Sequence, residues 1–162
     1  MAKICFEQKE YIFSYRVGAL LWRDGKLLLQ KNIQKAGYTL PGGQVSFGEY
    51  SQKALARKLM EETGAAVNIG RLAMIAELFF QWNKPCHQVN FYYLAKLKNE
   101  DAMPQENFPA YDSLGHVRAE TEFCWLSPSE LKKAKIYPRC IKPYLLELPD
   151  HIVHLQQADL EE

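Results

Sequence analysis

GGQVSFGEYSQKALARKLMEETGAAV, Gly42 to Val67, is the stretch around which this 162-residue chain is organised. Paired glycines after Pro41 open it, and they allow backbone conformations closed to other residues. From Tyr50 to Thr63 nothing interrupts a helix, and Ala, Leu, Lys, Arg, Met and Glu dominate. Gly64 stands where a helix C-terminus favours a residue with positive φ. At 100° per residue, Arg57, Lys58, Glu61 and Glu62 share an arc of about 140°, with Leu55 and Leu59 forming an apolar stripe beside it. Glu61 and Glu62 sit in the last turn, where the macrodipole disfavours a carboxylate by about 0.3–1 kcal/mol. Two acids that break a local rule beside a glycine loop point to a divalent metal.

Outward from this stretch the chain reads as one α/β domain over 1–162. YIFSYRVGALLW and KLLLQK, joined by Asp24-Gly25, predict a β-hairpin over residues 11 to 31. Tyr38 to Leu40 predicts a short strand into Pro41. RLAMIAELFFQW and HQVNFYYLAKL predict two strands turning at Asn83-Lys84-Pro85. Residues 99 to 116 read as a long polar loop, and 117 to 126 contain a last strand ending in FCWL. Ser127-Pro128-Ser129-Glu130 forms a capping box for a short helix over Glu130 to Lys135. A final helix is expected within Pro138 to Leu148, followed by a polar tail, 149–162, either frayed or docked.

Composition narrows the function classes. Hydrophobic residues make up 48% and charged residues 24%, ordinary for a soluble globular protein. A net charge of +1 gives no electrostatic footprint for duplex nucleic acid or an anionic membrane. Cys5, Cys86, Cys124 and Cys140 are scattered, with no C-x-x-C pair. MAKICFEQKEY lacks a long apolar run, so the expected compartment is the cytoplasm.

The spacing of Gly43, Glu49, Arg57, Leu59, Glu61, Glu62, Gly64 and Ala65 resembles the Nudix hydrolase signature, G-x5-E-x7-R-E-U-x-E-E-x-G-U, where U is aliphatic. The resemblance implies an α/β/α sandwich with a mixed β-sheet. It implies hydrolysis of a nucleoside diphosphate linked to another group X, a small-molecule nucleotide substrate, with Mg²⁺ or Mn²⁺ screening the phosphates. It makes Glu61 and Glu62 ligand candidates, with the Gly42 carbonyl as a backbone ligand. Glu49 and Arg57 become a bracing ion pair, and a metal role for Glu49 stays open.

One position departs from the signature. After Arg57 it requires Glu, and here stands Lys58. Lys58 is one turn from Glu61 and Glu62 and can pair with either, or its stem can swing into solvent. The catalytic set expected is therefore Arg57, Lys58, Glu61 and Glu62, and a further acid would come from Glu77, Glu120 or Glu122. Arg16, His87 and Tyr93 are substrate-contact candidates: a planar cation for phosphate, an imidazole as proton carrier or phosphate contact and a ring for a base. A homodimer is an open assembly, and a nucleotide-sensing module that has lost efficient chemistry is the alternative function.

Overall fold

The computed structural model describes residues 2–160. It contains eleven strands: β1 (Cys5–Glu7), β2 (Ile12–Arg23), β3 (Lys26–Asn32), β4 (Tyr38–Thr39), β5 (Gly42–Gln44), β6 (Val67–Gln81), β7 (Pro85–Leu97), β8 (Phe108–Tyr111), β9 (Val117–Leu126), β10 (Ile136–Tyr137) and β11 (Val153–Asp159). Helix α1 covers Ser51–Thr63 and α2 covers Pro128–Lys133; 3₁₀ turns lie at Glu100–Ala102 and Arg139–Tyr144. The strand order is β10-β4-β3-β2-β7-β6-β11, with β1 and β5 on β2, and β9 joining β3 to β8. Pairs β2–β7, β6–β11 and β4–β10 are parallel and the others antiparallel, so the sheet is mixed.

Strand β2 is shared by both halves of this sheet. Its Ile12–Leu21 segment pairs with β7, and its end pairs with β3 across Trp22↔Leu27 and Arg23↔Lys26. Asp24 and Gly25 both take positive φ, 51° and 74°, the turn whose twist matches a two-residue hairpin. Side chains alternate across the sheet, so β2 serves two cores. Val17, Ala19 and Leu21 pack under α1 with Ala54, Leu55 and Leu59. Leu20 packs on the other face with Leu131 of α2, with Ile141 of the second 3₁₀ turn and with Leu145 just after it. Helix, sheet and helical layer give the expected α/β/α sandwich.

Two expectations are corrected, and of the two left open for the tail the docked one holds. The 99–116 segment is not a structureless loop, because β8 pairs with β9 and the Arg23 guanidinium pins the chain before it. That guanidinium donates to the carbonyls of Glu100 (2.8 Å), Met103 (2.8 Å) and Pro104 (2.7 Å) and stacks 4.2 Å over the Trp125 ring. The helix expected within Pro138 to Leu148 is the 3₁₀ turn Arg139–Tyr144; Pro143 inside it has no N–H for an α-helical ladder. The polar tail forms β11, parallel to β6, with Val153 and Leu155 buried and His154 and Gln156 exposed. The two final residues of the tail expectation lie outside the described residues.

Candidate active site

Helix α1 ends on Gly64, φ 75°, whose N–H donates to the Met60 carbonyl. Among the described residues it has no side-chain N-cap, no acid in its first turn and no base in its last. Its apolar stripe, not its ends, holds it: Ala54, Leu55 and Leu59 are fully buried. That docking fixes the charged arc along β5, whose Gly42 and Gly43 pair with Gly18 and Val17 of β2. Both glycines are required by close approach. A Cβ at Gly42 would strike the Val17 carbonyl, and one at Gly43 would strike the Lys58 stem.

Glu49 braces this unit. Its carboxylate accepts from Arg57 Nη2 at 2.6 Å, Arg57 Nε at 3.2 Å and the Ser46 N–H at 2.8 Å. The Arg57 guanidinium holds the Glu49 carboxyl below the usual carboxylate range and is itself raised by the contact. Arg57 also reaches Glu61 at 3.2 and 3.4 Å.

Lys58 does not swing into solvent. Its Nζ lies 3.2 Å from Glu62 Oε1 and 3.7 Å from Glu61 Oε2. Glu62 is only 4% exposed. Burial pushes its carboxyl up, against the opposing pull of Lys58, Arg118 and Arg16. Its Oε1 also meets Arg118 Nη1 at 3.5 Å, while its Oε2 is buried without a hydrogen-bond partner among the described residues.

Arg118 links this corner to a cleft of about 490 Å³. The cleft is lined by Gln30, Lys31, Asn32, Lys35, Ala36, Gly37, Thr39, Arg118, Thr121 and Tyr137: three cations, four uncharged hydrogen-bonding side chains and a tyrosine ring, with no acid. Arg16 lies on β2 in register with Gln44 and Asn90. Burial lowers its guanidinium, and it makes no salt bridge or side-chain hydrogen bond among the described residues.

The other sequence candidates fall elsewhere. Tyr93 is a core residue under α1, 5% exposed, its hydroxyl 2.6 Å from Ser51 Oγ; it presents no ring to a ligand. His87 is exposed and packs edge-on against Phe13 and Phe79, apart from the cleft lining. Glu77 is bound by His154 at 2.7 Å and Gln156 at 3.2 Å at the β6–β11 edge. Glu122 faces Lys31 in the β3–β9 register. Glu120 alone of the three reaches the site, through Arg118 at 3.5 Å. The sequence reading missed Arg118 and the cleft cations. Arg118 is 56 residues from Glu62, and no local pattern joins them.

The donor set does not fit the expected Mg²⁺ or Mn²⁺. Both Glu49 oxygens, both Glu61 oxygens and Glu62 Oε1 already face Arg57, Lys58 or Arg118. Only Glu62 Oε2 is free, and one carboxylate oxygen with the Gly42 carbonyl falls short of a Mg²⁺ oxygen shell. Among the described residues no group of three His, Cys, Asp or Glu side chains is placed to hold an ion.

The NUDIX domain family model matches residues 13–146. The chain belongs to the NUDIX family. Solved structures place it in the same fold. A NUDIX hydrolase from Nitrosomonas europaea superposes with TM-score 0.62 at 22% identity, covering 88% of this chain and 78% of that one. A mutator MutT protein from Bacillus halodurans gives 0.63 at 18%, covering 83% and 80%. An ADP-ribose pyrophosphatase from Streptococcus suis gives 0.57 at 16%, covering 88% and 98%. No helix among the described residues of this NUDIX protein is long and apolar enough to cross a membrane.

Proposed function

We propose that the chain binds a nucleoside diphosphate linked to a second group and hydrolyses its pyrophosphate bond. The observation that carries this reading is the acid-free, three-cation cleft that meets Glu62 through Arg118. A polyphosphate needs its negative oxygens neutralised, and fixed cations in a partly dry site do this effectively. Lys31, Lys35 and Arg118 take the phosphates, Arg16 takes a further oxygen, Tyr137 stacks on the base, and the amides of Gln30 and Asn32 read its edge. In the reaction a water oxygen bonds to one phosphorus while the bond from that phosphorus to the bridging oxygen breaks. The bridging oxygen leaves with its electron pair. The water proton passes to the Glu62 carboxylate, whose raised affinity for a proton suits a general base.

The test is a panel of nucleotide sugars, dinucleotides and nucleoside triphosphates, assayed with Mg²⁺, with Mn²⁺ and with chelator. One class should turn over, and Glu62→Gln should lower kcat by about 10²–10⁴. Equal rates in wild type and Glu62→Gln across the panel overturn the proposal.

A second reading is favoured by the Lys58 contacts to both Glu61 and Glu62. On that reading the site senses a nucleotide without efficient hydrolysis. Its mark is a nucleotide-dependent rise in Tm with no more product formed than by Glu62→Gln.

A further inference from the structure

We infer that the Lys58 ammonium stands where a divalent cation would, so that the protein holds a phosphate anhydride with its own cation. The inference rests on the reading that the site takes such a ligand. Three observations carry it, beginning with placement. The Lys58 stem fills the space over Gly43 that any Cβ would claim, and the side chain is 18% exposed. The lysine is therefore seated between loop and helix, not waving in solvent.

The second observation is the bridge. A single Nζ spans Glu62 Oε1 and Glu61 Oε2, two carboxylates on one helix face, at 3.2 and 3.7 Å. That is the linkage a divalent ion would make between them. A protonated lysine donates and cannot ligate a metal, so lysine and ion compete for the same oxygens.

The third is charge. Arg16, Arg57, Lys58 and Arg118 stand around Glu49, Glu61, Glu62 and Glu120, four cations to four carboxylates, so the corner itself is balanced. Lys31 and Lys35 add positive charge on the cleft side, where no acid lines the wall. A site with excess positive charge repels Mg²⁺ and attracts an anion. The ammonium also keeps donors beyond its two carboxylate contacts, and one can reach a phosphate oxygen.

Isothermal titration of the full chain with inorganic pyrophosphate, in chelator and in Mn²⁺, tests this, alongside paramagnetic resonance of Mn²⁺ alone. Pyrophosphate should bind equally in both buffers, and Mn²⁺ alone should remain free. Lys58→Met, which keeps the stem, should weaken pyrophosphate binding in chelator about tenfold or more, the loss of one charged hydrogen bond. Lys58→Glu should bind Mn²⁺. Pyrophosphate binding that appears only with Mn²⁺ overturns the inference while leaving the proposed function standing. Mn²⁺ binding by wild type, or none by a folded Lys58→Glu, also overturns it. Absence of pyrophosphate binding in either buffer removes the proposed function as well. If circular dichroism shows Lys58→Met unfolded, the wild-type measurements decide.

Discussion

Glu49 and Glu62 are pushed in opposite directions by their surroundings, and this gives them opposite effects on stability. Glu49 sits under the Arg57 fork, which lowers its pKa from 4.5. Its contribution is present above the unfolded value and is lost as pH falls through the folded one. Glu62 is raised from 4.5 by burial. The folded state binds its proton more tightly, so its charged form lowers stability as pH rises through the raised pKa. Denaturation as a function of pH should therefore separate two variants. Wild type should lose stability relative to Glu49→Gln as the solution becomes acidic, and relative to Glu62→Gln as it becomes neutral. Near neutral pH, Glu49→Gln should cost about 2 kcal/mol, the scale of charged hydrogen bonds. At this scale the signature residues were legible because they share one helix and one loop. Tyr93 was not, since nothing in FYYL tells which of two adjacent tyrosines faces α1 and which the opposite core.

Among the elements, the hairpin of β2 and β3, helix α1 and the capped α2 could all be read from turn chemistry, apolar stripe and capping box. The segment before β8 could not. It is held by Arg23, which in the sequence is one charge beside an Asp-Gly turn and reads as surface. In the fold Arg23 is 8% exposed and serves three carbonyls at once. Arg23→Met should leave those carbonyls without their donor and cost roughly 2–4 kcal/mol. Equilibrium denaturation measures the loss, and limited proteolysis should cut first between residues 99 and 107. Unchanged cleavage there would show that the guanidinium does not anchor the segment. The 3₁₀ turn was hidden for a different reason: Pro143 rules out a regular helix but not a tighter turn.

For the whole molecule, β11 is the element that composition concealed. Val-His-Leu-Gln at residues 153–156 carries the two-residue alternation of a strand, with two apolar positions to reveal it. In the fold it closes one edge and covers Met74, Ala76 and Leu78 with Val153 and Leu155. Leu155→Lys, which forces an ammonium into that core, should destabilise by about 2–4 kcal/mol and lower Tm without moving the Lys58 to Glu62 corner. A variant as stable as wild type would mean that β11 only rests on the sheet.

The sharing of β2 by two cores bears on how such a chain can change by inheritance. Inserting one residue into Ile12–Leu21 would carry Val17, Ala19 and Leu21 to the opposite face and expel Leu20 from its own. Lineages should therefore hold that strand at fixed length. The segment from Ile33 to Gly37 carries no such constraint, yet its Lys35, Ala36 and Gly37 form part of the cleft wall. Gains and losses of residues there can alter what the cleft admits while both cores stay as they are, so new specificities can arise without the fold being renegotiated.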